Sequence, residues 1–284
     1  MKLYFGGGER VLPILHEFGI KNIAISTRYM NRIELEDLHL FDSIIVEGGA
    51  DPLQKKRGQL YAQYKAKKLS KDNFISRQAT LDEQAEKASK QTEKYYEAIK
   101  DFPGVILGEF AYGSLTERKG RLLNWKSRYP SIEPVLHPND YKELLQFSKG
   151  FAILGRMPYS VGSYIAGVTP MLNYLRPRWI HTLGVGRTQL LERYRWDSTS
   201  TVSWVDGTRF GKTYFFDGHT LRQYARKDKS QRVRFKNECE KWGIDYEAFI
   251  EEDHEAITRW SISQWKQYGE MLERKGVQAQ ILRG

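Results

Sequence analysis

The 284-residue sequence holds a single cysteine, Cys239. A disulfide framework is thereby excluded, and so is a cysteine-rich zinc site. No apolar run approaches the ~18 residues that a membrane span requires. The N-terminus MKLYFGGGER has no apolar stretch after a basic start, so no secretory signal is expected. A cytoplasmic protein without membrane contact is the expectation. Internal repeats and low-complexity linkers are absent. Negative charge is in short supply: 35 Asp and Glu against 45 Lys and Arg leave a net charge of +10. A surplus of this size suits a polyanionic partner, because Lys and Arg gain affinity by releasing counterions from phosphates.

What is present is a rhythm of short apolar runs, each followed by a polar or glycine-containing turn. Eight of them read as strands: Leu3–Phe5, Asn22–Ser26, Ser43–Glu47, Val105–Glu109, Glu133–His137, Phe151–Gly155, Trp179–Leu183 and Trp196–Ser200. Several are continuously apolar (IIV, VIL, AIL), as in parallel strands covered on both faces. Helical spacing appears between them, at Arg10–Phe18, Asp140–Ser148 and Thr188–Tyr194. Strand–helix alternation of this length predicts an α/β fold, a single-domain (β/α)8 TIM-type barrel, with an open doubly wound sheet as the other possibility.

Residues 54–101 interrupt the rhythm with a long charged stretch, read as a helical insertion after the third strand. Its last part, Leu81–Lys100, is predicted to start on a Thr80/Glu83 capping box. Basic residues and tyrosines interleave from Lys55 to Lys68, which suits either a nucleic-acid-contacting insertion or a solvated helical excursion. Residues 218–284 are read as C-terminal helices packed on the barrel. In this tail Phe235, Trp242, Phe249, Ile257, Trp260, Ile262, Trp265 and Tyr268 are the expected core.

In a barrel of this kind the reacting groups sit at the C-terminal ends of strands. Those positions give Glu47-Gly48-Gly49, Glu109, His137, Gly155, Gly184-Val185-Gly186-Arg187 and Asp197. Three carboxylates, Glu47, Glu109 and Asp197, are thus expected at one mouth. The glycines allow a backbone to approach a flat ligand closely, or serve as tight turns. Of the twelve basic residues between Arg187 and Lys236, Arg209 and Lys212 among them, many are expected to line one face beside the mouth and hold phosphates.

The stretch HTLGVGRTQLLERYRWDSTSTVSWVDGTRFG resembles the end of the barrel in the tRNA-guanine transglycosylases. These enzymes carry a glycine-valine-glycine strand end, a short helix and an aspartate on the last strand. The DSTS…W wording is closer to the short phage-type relatives that place 7-deazaguanines into DNA. IIVEGGA, LGEF, PVLHP and ILGR fall on earlier strand ends of that family, so the resemblance touches most of residues 3–217. There are departures: Glu47 and Glu109 stand where the family has aspartates. Cys239 and His254 cannot make the zinc site of the full-length tRNA enzymes, so no metal and no cofactor is expected.

The resemblance implies base exchange by double displacement on DNA or, less favoured, tRNA, with a free 7-deazaguanine base as co-substrate. Asp197 would be the nucleophile at C1′ and Glu47 the acid/base. Glu109, His137, Gly155, Gly184, Val185 and Gly186 would bind the base. Arg187, Arg209 and Lys212 would hold phosphates. A carboxylate-dependent N-glycoside hydrolase and a non-catalytic basic nucleic-acid-binding barrel remain as alternatives.

Overall fold

The computed structural model describes residues 1–155, 161–194 and 196–281. Along the chain these form β1 (Lys2–Gly6), α1 (Leu12–Glu17), β2 (Asn22–Ser26), β3 (Ser43–Glu47), α2 (Asp51–Lys65), α3 (Lys71–Ile99), β4 (Val105–Gly108) and α4 (Leu115–Arg128). Then follow β5 (Ile132–Glu133), β6 (Val135–Leu136), α5 (Tyr141–Leu144), β7 (Phe151–Leu154), α6 (Val161–Leu175), β8 (Trp179–Thr182), α7 (Thr188–Arg193), β9 (Ser198–Thr201) and α8 (Asp206–Phe210). The chain ends with β10 (Thr213–Phe216), β11 (Leu221–Tyr224), α9 (Lys236–Lys241), α10 (Tyr246–Ile250) and α11 (His254–Ile281). Parallel strands alternating with helices define the α/β class. Two compact units result, Met1–Ala24 with His181–Gly284, and Ile25–Ile180; their boundaries fall inside β2 and β8. No helix among the described residues is long and apolar enough to cross a membrane.

In the first unit the strand order is β2-β1-β9-β8, all parallel. β1 pairs with β9 from Lys2↔Ser198 to Phe5↔Thr201. The last strand therefore begins at Ser198 rather than Trp196. Trp196 is apolar and buried for a different reason: its indole N–H donates to Leu190 O, so it packs under α7. Every residue of the hydroxyl run Ser198–Thr201 is buried, and each hydroxyl is bonded. His181 shares a hydrogen bond with Ser198 Oγ at 2.9 Å, and burial pushes its imidazole down to about 3, so it stays neutral. The tail carries the expected core, with Phe235, Phe249, Ile257, Trp260, Ile262, Trp265 and Tyr268 buried and Trp242 half-buried. It is not all helical, however. β10 and β11 form an antiparallel hairpin whose turn is held by Asp217, which accepts from His219 N and Thr220 N.

In the second unit β4 pairs with β3 and β5, and β6 pairs with β7, all parallel. The strand expected over Glu133–His137 is split at Pro134, which has no N–H to give the ladder. Its two halves pair in different directions, β5 with β4 and β6 with β7. The insertion is a helical hairpin, α2 and α3. α3 starts at Lys71, ten residues before the expected capping box, because Ser70 caps it by accepting from Asn73 N at 3.3 Å. Thr80 sits mid-helix and turns its hydroxyl back to Ser76 O.

Glu133, at the end of β5, is buried, and its Oε2 makes no hydrogen bond. Burial pushes its carboxyl up to about 7, against the pull of Lys126 and Lys149. The unfolded chain ionises near the ordinary 4.5, so the folded state favours the protonated acid. Stability is therefore highest below that value, falls as pH rises through the window up to 7, and then levels. Glu133→Gln should remove this slope and stabilise the protein by about 3 kcal/mol above pH 7, with little gain at pH 4.5. Urea denaturation at the two pH values checks it.

Candidate active site

The second unit supplies the carboxylate, histidine and glycine strand ends. Glu47 is the last residue of β3, half-buried, and Gly48-Gly49 follow. A Cβ on Gly48 would lie 2.6 Å from Glu109 O, so the backbones after β3 and β4 touch and only glycine fits. Beneath them the buried Tyr96 hydroxyl donates to Gly108 O. Burial holds that phenol protonated, and the nearby Glu109 and Glu47 charges add to the effect. Glu47 is thus a carboxylate set on a rigid edge at the C-terminal end of a parallel strand.

Glu109 does not have the expected role. Its side chain is fully buried and is clamped by Arg118, with Nε to Oε1 at 2.6 Å and Nη2 to Oε2 at 2.7 Å. Val135 N donates to the same Oε2. Both oxygens are occupied by the protein, so Glu109 cannot read the edge of a base. The capping box of α4, Ser114 with Glu117, aims that helix so that Arg118 turns inward. Arg118 also reaches Asp140 and Val135 O.

Asp140, which sequence patterning did not single out, connects this clamp to His137. It accepts from His137 N at 2.8 Å, and its Oδ2 lies 3.7 Å from His137 Nδ1. Burial alone would raise the Asp140 carboxyl, but His137 and Arg118 outweigh it and hold the group below its ordinary value. The i,i+3 spacing in HPND was the available signal. His137 and Gly155 lie together: a Cβ on Gly155 would sit 2.2 Å from His137 Nε2. The imidazole therefore lies over the end of β7 and is 30 % exposed.

In the first unit, Gly184, Val185 and Gly186 form the turn between β8 and α7. Gly184 has φ 69° and is exposed, and its N–H donates to Ser200 Oγ at 3.1 Å. A Cβ on Gly186 would lie 1.8 Å from Ser203 Oγ. Val185 is buried and Arg187 exposed. The turn thus packs on the C-terminal end of β9, where the side chains are hydroxyls.

Asp197 is not there. It precedes β9, and its carbonyl accepts from Lys2 N at the opening of β1. Four residues of strand, ~13 Å at ~3.3 Å each, separate it from Thr201. Its charge acts on the half-buried Met1 amine instead, after Glu273. The expected nucleophile therefore lies at the N-terminal end of its parallel strand, whereas Glu47 ends the strand that carries it.

The expected phosphate holders divide. Arg209 is exposed and lines a shallow pocket with Thr208, Arg226 and His254. Lys212 is bound to Asp206 at 2.8 Å. Among its neighbours in sequence, Arg222 pairs with Asp217, Arg226 and Arg232 pair with Glu252, and Arg232 is buried. These four cations neutralise carboxylates of the protein itself. Arg195 lies outside the described residues.

No family model, curated protein or solved structure matches the chain.

Proposed function

We propose that the chain is a (β/α)8-barrel enzyme that exchanges guanine in nucleic acid for a 7-deazaguanine base, with Glu47 as nucleophile and His137 as the proton carrier. β5 and β6 count as two halves of one strand, which makes the barrel eight-stranded. The observation that carries the reading is the pair of Glu47, the last residue of β3, and His137, which lies over Gly155 just after the end of β6. Their strands are two places apart, ~10 Å at ~4.8 Å per strand, a span that a nucleoside fills. The resemblance at 181–211 and the surplus of positive charge point to the base and the polymer, DNA before tRNA.

In the proposed reaction the target nucleotide leaves its stack to reach the strand ends. A Glu47 oxygen bonds to C1′ as the bond from C1′ to guanine N9 breaks, and the electron pair stays on the base. Imidazolium at His137 gives the departing guanine its proton. The neutral imidazole then takes the N9 proton of the incoming 7-deazaguanine, whose nitrogen attacks C1′ and frees Glu47. Two inversions give net retention. Asp140 orients His137, whose ring can give a proton and then take one.

The test is mass spectrometry of nucleosides from a guanine-containing oligonucleotide incubated with the protein, with and without a free 7-deazaguanine base. Exchange predicts guanine release matched by 7-deazaguanine incorporation, and none without the free base. Guanine release alone would establish a hydrolase. An unchanged oligonucleotide under both conditions would overturn the reading.

A further inference from the structure

We propose that the distal half of the α2–α3 hairpin is an arm that grips the phosphate backbone of the nucleic-acid substrate. This rests on the function proposed above. Its starting point is an uneven charge distribution along one hairpin. Between Gln54 and Arg77 stand eight basic residues and one acidic, Asp72; between Asp82 and Lys100 stand four basic and five acidic.

The two halves also use their charges differently. In the half nearer the body, Lys87 pairs with Glu83, Lys90 with Glu86, Lys100 with Glu97, and Glu93 with Arg128. These are the i,i+3 and i,i+4 pairs of a solvated helix that neutralises itself, with Glu93 and Glu97 both also meeting Arg128 of α4. In the distal half Arg57 reaches a carboxylate, Glu117, at 3.6 Å. Lys55, Lys56, Lys65, Lys67, Lys68, Lys71 and Arg77 make no ion pair with any described residue. A solvated helix has no need of such an excess. A polyanion does.

The hairpin holds five of these cations, Lys65, Lys67, Lys68, Lys71 and Arg77, away from the body. Residues 61–84 contain no buried side chain, whereas Ala85, Thr92, Tyr96 and Ile99 anchor the second half of α3. The tip is nevertheless ordered by its own contacts. Tyr64 stacks on Phe74 with ring centroids 4.5 Å apart, joining the two helices, and Ser70 caps α3. Lys65, Lys67 and Lys68 line a shallow concavity beside that cap. The root lies at the candidate site. α2 begins at Asp51, four residues after Glu47, and Thr92 of α3 donates to Gly48 O. A polymer held at the Glu47 end is thus within reach of an arm of α-helix rising ~1.5 Å per residue.

The same cations would also attract an anionic lipid surface. That partner is disfavoured, because the distal half has no apolar face to insert: Tyr61 and Ile75 are its exposed large apolar side chains.

The experiment compares wild type with a variant in which Lys65, Lys67, Lys68 and Lys71 are each Gln. A control carries Gln at Lys87 and Lys90. Affinity for a duplex oligonucleotide is measured over a salt series, and binding to vesicles rich in phosphatidylserine is measured in parallel. Wild type and control should show the same steep salt dependence. The fourfold variant should lose about 3–4 from the slope of log K against log salt, since each phosphate contact contributes ~0.9. Its KM for a long duplex should rise at least about tenfold with kcat unchanged. Equal slopes in all three proteins, with wild type binding well, would overturn the arm and leave the proposed function standing. A wild type that binds no oligonucleotide would overturn both. Lysine-dependent binding to vesicles without binding to oligonucleotide would make the hairpin a lipid contact and also overturn it.

Discussion

Glu47→Gln is expected to reduce base exchange at least about 10³-fold while leaving oligonucleotide binding within about twofold of wild type. The amide keeps the size and hydrogen-bonding shape of the carboxylate but cannot form the ester at C1′. A 10³-fold loss is ~4 kcal/mol of transition-state stabilisation at ~1.36 kcal/mol per factor of ten. The loss should fall on kcat, because the missing bond exists only after the ground state. Asp197→Asn should behave in the opposite way. Asp197 precedes β9, beside the opening of β1, and its charge acts on the Met1 amine. Exchange should persist, and stability should fall by no more than about 1 kcal/mol, the worth of a partly exposed charge pair. Steady-state kinetics of both variants on one oligonucleotide separate the two carboxylates.

Arg118→Met is expected to destabilise the fold by about 3–5 kcal/mol, because it leaves the Glu109 carboxylate buried without its cation. It also takes a partner from Asp140, which positions His137. Removing both charges, with Glu109→Leu added to Arg118→Met, should recover much of the loss, since a buried pair contributes little beyond an apolar pair of similar volume. At ~2–4 °C per kcal/mol for a chain of this size, the single variant should melt at least about 6 °C lower. Guanidinium unfolding of the two single variants and the double variant closes the cycle. The cycle also tests the assignment of Glu109. If Glu109 read the base, Glu109→Gln would change base selectivity with stability kept; the clamp predicts the reverse.

Much of the parallel α/β organisation was legible because continuous apolar runs such as IIV and AIL record strands covered on both faces. Gly48 and Gly155 were visible as strand-end glycines, but what fills the space beside them, the Glu109 backbone for one and the His137 ring for the other, depends on tertiary packing. The last strand was misplaced by two residues. Its true span, Ser198–Thr201, is a run of hydroxyls with no apolar pattern, and the buried residue before it, Trp196, belongs to the packing of α7. Asp197 was already the second residue of the expected strand Trp196–Ser200, so its placement at the reacting end came from the resemblance and not from the strand pattern. Glu109 was misjudged for a different reason: its partner Arg118 lies nine residues on and meets it only when α4 folds back over β4. Pro134 was visible, but the redirection of its two flanking halves to different neighbours depends on tertiary pairing. The hairpin β10–β11 had its signal in Asp217-Gly218 between two aromatic-containing runs.

The most direct measurement is peptide mapping of a trapped glycosyl-enzyme. The protein is incubated with a guanine-containing oligonucleotide and a slow incoming base, denatured, digested, and the modified peptide sequenced by mass spectrometry. The account predicts the sugar on Glu47, and no adduct from Glu47→Gln. An adduct on Asp197, or an adduct that survives Glu47→Gln, would contradict it.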